Sequence, residues 1–249
     1  MKQILASLAL AVAFVIIWHL LYLALGETAL ASPAQTVARL AKLFATASFA
    51  GHISETASAF GYALVLSLIG GVGLGVLLGV SRLSSAVAEP ILITLYSIPK
   101  VTLYPLVLLC FGLGASAKIA FGVMHGMIPV TIFTMNAILQ MKPVYLRSAA
   151  VMRLTPMQAA TTVVLPAILP EVISGARLGF SLTLLGVLIG EMFASRRGLG
   201  FLVTSAMGLG DIATIMAVAL LVSTFAILCN TLMIALGAYL QHGQRVARA

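Results

Sequence analysis

Six acids and four histidines are the chain's stock of side chains for acid–base work or metal binding: Glu27, Glu55, Glu89, Glu171, Glu191 and Asp211, with His19, His52, His125 and His242. No two acids are close in sequence and the histidines show no metal-ligand spacing. Neither a paired-carboxylate hydrolase nor a metal centre is therefore spelled out. A serine–histidine pair needs a serine carrying its flanking motif, and none does. No glycine-rich run ends in Gly-Lys-Ser/Thr, so the chain has no phosphate-cradling loop and does not hydrolyse ATP by itself. His125 sits alone on an apolar run. It reads as a hydrogen-bonded packing residue, with an intramembrane enzyme built on it as the alternative.

Ion-coupled carriers place acids or histidines at the bilayer midplane as a relay. Glu191 is the only acid near the interior of an apolar run here, and it lies close to that run's far end. Energy for any transport then comes from another protein. A self-contained carrier or lipid-handling protein is the rival reading.

The elements that must hold these residues are membrane helices. Of 249 residues, 61% are hydrophobic and 8% charged, more apolar surface than a soluble domain can hide. That length leaves room for about six spanning helices with short loops. The net charge of +8 comes from basic residues placed singly at the ends of apolar runs, a topogenic pattern and not a nucleic-acid surface. Cys110 and Cys229 lie inside apolar runs and form no disulfide framework.

The first run, Ile4 to Leu25, is longer than the ~7–15 apolar residues of a secretory signal and reads as an uncleaved span. Ser32-Pro33 then starts an amphipathic surface helix with Val37, Leu40, Leu43 and Phe44 on one stripe. Residues 1–56 form this first unit, and 57–240 the core. A second span, Ala57 to Val80, carries Gly71, Gly75 and Gly79 in register, which predicts a close helix contact. The third region, Val87 to Leu113, is broken by Pro90, Pro99 and Pro105, with Lys100 beside the middle one. Irregular backbone at membrane depth is tolerated where it lines protein or a cavity, so this region predicts a pathway wall. Pro99, Lys100, Pro105, Asn136 and Glu191 are the candidates to line it. Ala117 to Leu139 is the fourth span, a fifth ends near Ala194, the polar stretch 195–211 follows as a loop, and a sixth runs from Ile212 to Leu240. With the N-terminus inside, Lys2, Arg82, Lys142, Arg147, Arg153, Arg245 and Arg248 face the cytoplasm. Arg39, Lys42, Lys118, Arg196 and Arg197 face outward. The tail, 241–249, is then cytoplasmic.

Between the fourth and fifth spans lies the longest polar segment, 141–166. Residues 144–162 read as a short amphipathic helix, a turn, and a second piece opened by Thr155-Pro156 as cap and first position. Val151, Met152, Leu154 and Met157 are apolar residues in a polar setting, rimmed by Arg147, Arg153 and Gln158. Such a segment suits a partner's groove. Packing against the chain's own bundle fits the same residues.

The stretch "YLRSAAVMRLTPMQAATTVVLPAILPEVISGARLGFSLTLLGVLIGEMFASRRGLGFLV" resembles the signature region of the membrane-spanning permease subunits of bacterial ABC importers. It is closest to the nitrate, taurine and aliphatic-sulfonate type, which includes permeases for thiamine precursors and riboflavin. In that family the loop begins Glu-Ala-Ala, has a glycine four residues after the second alanine and closes in Leu-Pro. Arg147, Ser148 and Ala149 fall on the first three positions, Arg153 on the glycine, and Leu165-Pro166 on the close. Pro170, Gly175, Arg177, and Glu191 with Gly198-Leu199-Gly200 also match, as do "SIPKVTLYPLVLLCFGLGASAKI" and "SPAQTVARL".

The resemblance implies an all-α permease of the bacterial inner membrane with both ends inside and two copies forming the pore. It also implies a cytosolic ATPase, binding ATP and magnesium, docked on 147–166 through Arg147, Ser148, Ala149, Met152, Arg153, Thr155, Pro156, Met157, Leu165 and Pro166. A periplasmic or lipid-anchored binding protein would meet the outer loops near Arg39, Arg196 and Asp211. Pro170, Gly175, Arg177, Gly198 and Gly200 take gate or structural roles. Pro166 and Pro170 are expected to redirect the chain from a surface helix into the fifth span. Arg153 suits its position only if the turn needs no positive φ.

Overall fold

The structure, a computed structural model, describes residues 2–246. Arg248 and the end of the 241–249 tail lie outside them. Among the described residues all regular structure is helical: α1 (Lys2–Leu25), α2 (Pro33–Phe44), α3 (Ala47–Gly79), α4 (Arg82–Ser97), α5 (Tyr104–Phe111), α6 (Ala115–Leu139), α7 (Pro143–Val151), α8 (Pro156–Ala159), α9 (Leu165–Ala194), α10 (Leu199–Leu209) and α11 (Ile212–Val246).

By length and apolar composition α3, α6, the helical body 156–193 and α11 can cross a bilayer. The pair Arg82–Ser97 and Lys100–Phe111 makes a fifth, broken span, bent by 87°. The break falls where the prolines place it. Pro99 precedes a single 3₁₀ turn, and Pro105 sits in the first turn of α5, where its missing N–H has no intrahelical bond to lose. The expected first span is helical, as α1. Indole Nε1 of Trp18 donates to the carbonyl of Ala31 at 3.0 Å and ties α1 to the entry of α2. Ser32 caps α2 as read, in a reciprocal capping box with Gln35.

Three expectations are corrected. The second span does not begin at residue 57: α3 is continuous from Ala47, so the expected boundary at 56/57 falls inside a helix. The stretch after Ala194 is not all loop. It holds the eleven-residue α10, between a Gly198 cap and a left-handed Gly210.

The third correction concerns the prolines. Pro166 and Pro170 do not redirect the chain, because α8, a π-helical segment (Ala160–Val164) and α9 form one helical body over residues 156–193. In a regular α-helix the Pro166 ring would meet the carbonyl four residues back. The π segment widens the turn there, with Leu165 N–H reaching back to Ala160 O. At 1.5 Å per residue the 38-residue body is about 57 Å long, against ~40–45 Å for a bilayer with its headgroups.

α6 lies between α3 and α9. Gly71, Gly75 and Gly79 of α3 face Val130, Thr134 and Ile138 of α6. From the other side Gly175, Gly179, Gly186 and Gly190 of α9 meet Phe133, Val130, Phe121 and Lys118. Lipid is as apolar as leucine, so these helices gain by dispersion and close fit and not by expelling water. A Cβ on Gly75 would stand 2.8 Å from Thr131 O, whereas one on Gly73 meets nothing within 4 Å. Gly75→Ala is expected to cost about 1–3 kcal/mol through overpacking, and Gly73→Ala to change little. Thermal unfolding of both variants in detergent checks the contrast.

Candidate functional site

The rod 156–193 has a polar structure at each end. At its N-terminal end α7, the turn 152–155 and α8 form an elbow. α7 ends in a Schellman motif: Arg153 N–H donates to Ala150 O at 3.0 Å and Leu154 N–H to Ala149 O at 3.1 Å. The residue between must be left-handed, and Arg153 has φ +51°, the only positive φ outside glycine among the described residues. The condition under which Arg153 would suit this position is therefore not met. A side chain there costs about 1–2 kcal/mol relative to glycine.

Thr155 then caps α8 in a capping box with Gln158, and Pro156 takes the first position. Val151, Met152 and Met157 remain 84%, 69% and 74% exposed. Arg147 and Ser148 are exposed beside them, Ala149 is buried under the turn, and Leu165 and Pro166 follow on the rod. Further along, Arg177 Nε donates to Asn230 Oδ1 of α11 at 3.1 Å, an amide carbonyl oxygen on a neighbouring helix. Glu171 is exposed and does not pair with it. Gly175 lets α9 meet Phe133, and Pro170 sits inside α9.

At the other end the carboxylate of Glu191 is fully buried. Thr56 Oγ1–H donates to it at 2.8 Å, Gly200 N–H at 3.0 Å and Lys118 Nζ at 3.4 Å. Lys118, itself 1% exposed, also holds Glu55 at 2.7 Å. Thr56 Oγ1 accepts from Leu199 N–H at 2.8 Å. Glu191 thus caps the N-terminus of α10, where a negative charge meets free amides and the positive end of the helix dipole. Gly198 must be glycine twice over, because its φ is +121° and a Cβ would strike the Glu191 carboxylate. A Cβ on Gly200 would strike Leu188 O. Beside the clamp a cavity of about 550 Å³ is lined by Glu55, Gly114, Arg196 and Arg197.

Glu191 was expected on a pathway wall, yet the clamp encloses it. Lys100 is likewise turned inward, its amine on Tyr96 O at 3.0 Å and over the Tyr96 ring. Pro99 and Pro105 are exposed at the bend, and Asn136 is half-buried on α6. His125 donates Nδ1–H to Phe121 O at 2.9 Å and packs edge-on to that ring. A serine or acid within hydrogen-bond reach of it is absent among the described residues.

Thr56, Glu55, Lys118 and Asn230 were missed as site residues. A lysine just inside an apolar run was the one usable signal, since such a cation needs a buried partner. A separate link joins α2 to α11: Arg39 Nη2 donates to Asp211 Oδ2 at 2.6 Å and Nε to Thr214 Oγ1 at 2.7 Å. Partial burial pushes the Asp211 carboxyl up, but hydrogen bonds from Thr214 and the Arg39 guanidinium outweigh it, leaving the group below the usual carboxylate range.

Lys118→Met leaves two acids without their cation and is expected to cost about 3–5 kcal/mol. Thr56→Val, which orphans one amide, should cost about 1–3 kcal/mol. Chemical unfolding in detergent should rank them in that order. Because the Asp211 value is depressed, its stabilisation holds above the ordinary carboxylate value of about 4 and is lost as pH falls through the folded value. The melting temperature of the wild type should therefore fall more steeply below about pH 4 than that of Asp211→Asn.

Comparison with known proteins follows the same lines. A probable ABC transporter permease protein of Haemophilus influenzae is 34% identical over 143 residues, 57% of this chain and 58% of that protein. A putative aliphatic sulfonates transport permease protein of Bacillus subtilis is 30% identical over 183 residues, 73% of this chain and 66% of that one. The matches thus span less than two thirds of either relative's length. A solved structure of the MetNI methionine ABC transporter, inward facing, superposes with a TM-score of 0.66 at 22% identity over 77% of this chain and 95% of that chain, which establishes the all-α fold. Residues 71–246 match the family described as binding-protein-dependent transport system inner membrane component. This polytopic membrane protein, with its capped elbow at one end of a long rod and its buried clamp at the other, belongs to that family.

Proposed function

We propose that this chain is the permease subunit of an ABC importer, forming the solute pathway and coupling to a separate cytosolic ATPase. The observation that carries this is the exposed apolar elbow at the tip of the rod. Val151 and Met152 at the end of α7 and Met157 at the start of the rod are exposed together, and the rod runs some 50 Å from there as one helical body to the Glu191 clamp, a path for force applied at the elbow. ATP and magnesium bind the partner, and closure of two ATPases swings two elbows. Two copies of this chain enclose the pathway, with Pro99, Pro105 and Asn136 towards it and Arg177 as a structural link near the inner end. Both termini lie in the cytoplasm of a bacterium, and a periplasmic or lipid-anchored binding protein delivers solute to the outer loops. The solute is a small organic anion such as a sulfonate or taurine, or nitrate; a thiamine precursor or a riboflavin-type compound belongs to the same range. The named sulfonate relative and the basic outer loops support an anion.

Purification in mild detergent should retain an ABC ATPase on this chain, and Met157→Asp should release it. In vesicles, sulfonate uptake should require that ATPase, the binding protein and ATP. Gradient-driven accumulation by the chain alone would overturn the proposal.

A further inference from the structure

The elbow's charge has one sign. Met141 to Pro170 includes Lys142, Arg147 and Arg153 and no acid. Among the described residues both arginine side chains are exposed and make no ion pair or hydrogen bond within the chain. Arg153 also holds a left-handed conformation that glycine would hold without strain. The Schellman bonds to Ala150 O and Ala149 O hold that backbone, and glycine would keep both of them. Backbone strain kept at an exposed position, with the side chain left unpartnered, points to a contact made with another molecule.

The neighbours of Arg153 indicate which kind. Val151, Met152 and Met157 surround it, so one occupant must cover apolar tips and bind guanidinium groups together. The rod is longer than a bilayer with its headgroups is thick, so it can carry the elbow past them. We infer that the elbow selects an ATPase whose docking groove is apolar on its floor and acidic on its rim, with Arg147 and Arg153 as the specificity-determining contacts. The inference rests on the coupling reading above and adds the chemistry of the partner. Arginine suits the task, since its planar fork meets a carboxylate with two parallel hydrogen bonds.

The test uses the full-length chain in nanodiscs of neutral lipid and the ATPase that co-purifies with it, identified by its own phosphate-binding loop. Binding of the purified ATPase is measured for wild type, Arg147→Glu/Arg153→Glu, Arg153→Gly and Met157→Asp. The double reversal should weaken binding by about tenfold or more, and raising salt from about 0.1 M to 1 M should weaken the wild type but not the reversed variant. Arg153→Gly should raise the melting temperature while lowering affinity, a combination that a purely structural turn residue does not give. Lysine substitutions at the acids of the groove rim should restore binding to the double reversal. Unchanged affinity and salt dependence in the double reversal, with binding still abolished by Met157→Asp, would overturn the acidic-rim inference and leave the coupling reading standing. Failure of any ATPase to co-purify with the wild type would overturn both. Loss of binding in neutral nanodiscs with recovery in anionic ones would assign the arginines to lipid and reject the inference.

Discussion

A carboxylate with no access to solvent must be given every hydrogen bond it would have had from water, and Glu191 is given them by three other helices. Thr56 comes from α3, Lys118 from α6 and the Gly200 amide from α10. Removing any donor leaves a buried charge short of partners, so the four elements are held in one arrangement at this end of the molecule. Glu55 shares Lys118 at the cavity edge, and the N-terminus of α10 faces the Glu191 side chain. The clamp therefore fixes where the loops at this end stand relative to α9.

α9 carries that constraint to the opposite face. Its contact with α6 is made through glycines, and α6 repeats the arrangement against α3, so backbones approach where side chains would hold them apart. A close-packed contact of this kind resists shear. In the proposed coupling, movement imposed on the elbow would pass along the rod to the clamp. The π segment marks where the rod is least regular, at the step between the elbow and the buried part.

The elbow, like the bend between α4 and α5, is locally irregular. A strained arginine ends α7, two capping bonds start α8, and a widened turn accommodates Pro166. Each feature is a local solution to a backbone problem, and together they present an apolar and basic surface at the tip of the rod. The link between Arg39 and Asp211 holds α2 on the start of α11.

Much of this was legible in the residues. Apolar runs set the membrane helices because lipid leaves the backbone no other partner than itself. Ser32-Pro33 and Thr155-Pro156 marked helix starts because capping is a local bond, and Gly71, Gly75 and Gly79 announced a tight contact by spacing alone. The partner of that contact, the burial of Glu191 and the pairing of Lys118 with acids 63 and 73 positions away depended on which helices meet. The straight course through Pro166 and Pro170 was likewise a matter of how the whole body packs, since local proline rules alone favour a break. One chain's periodicity thus specified which segments are helices and which face is small; only assembly in three dimensions decided which charges neutralise one another, because a membrane interior tolerates an ion only beside its counter-ion.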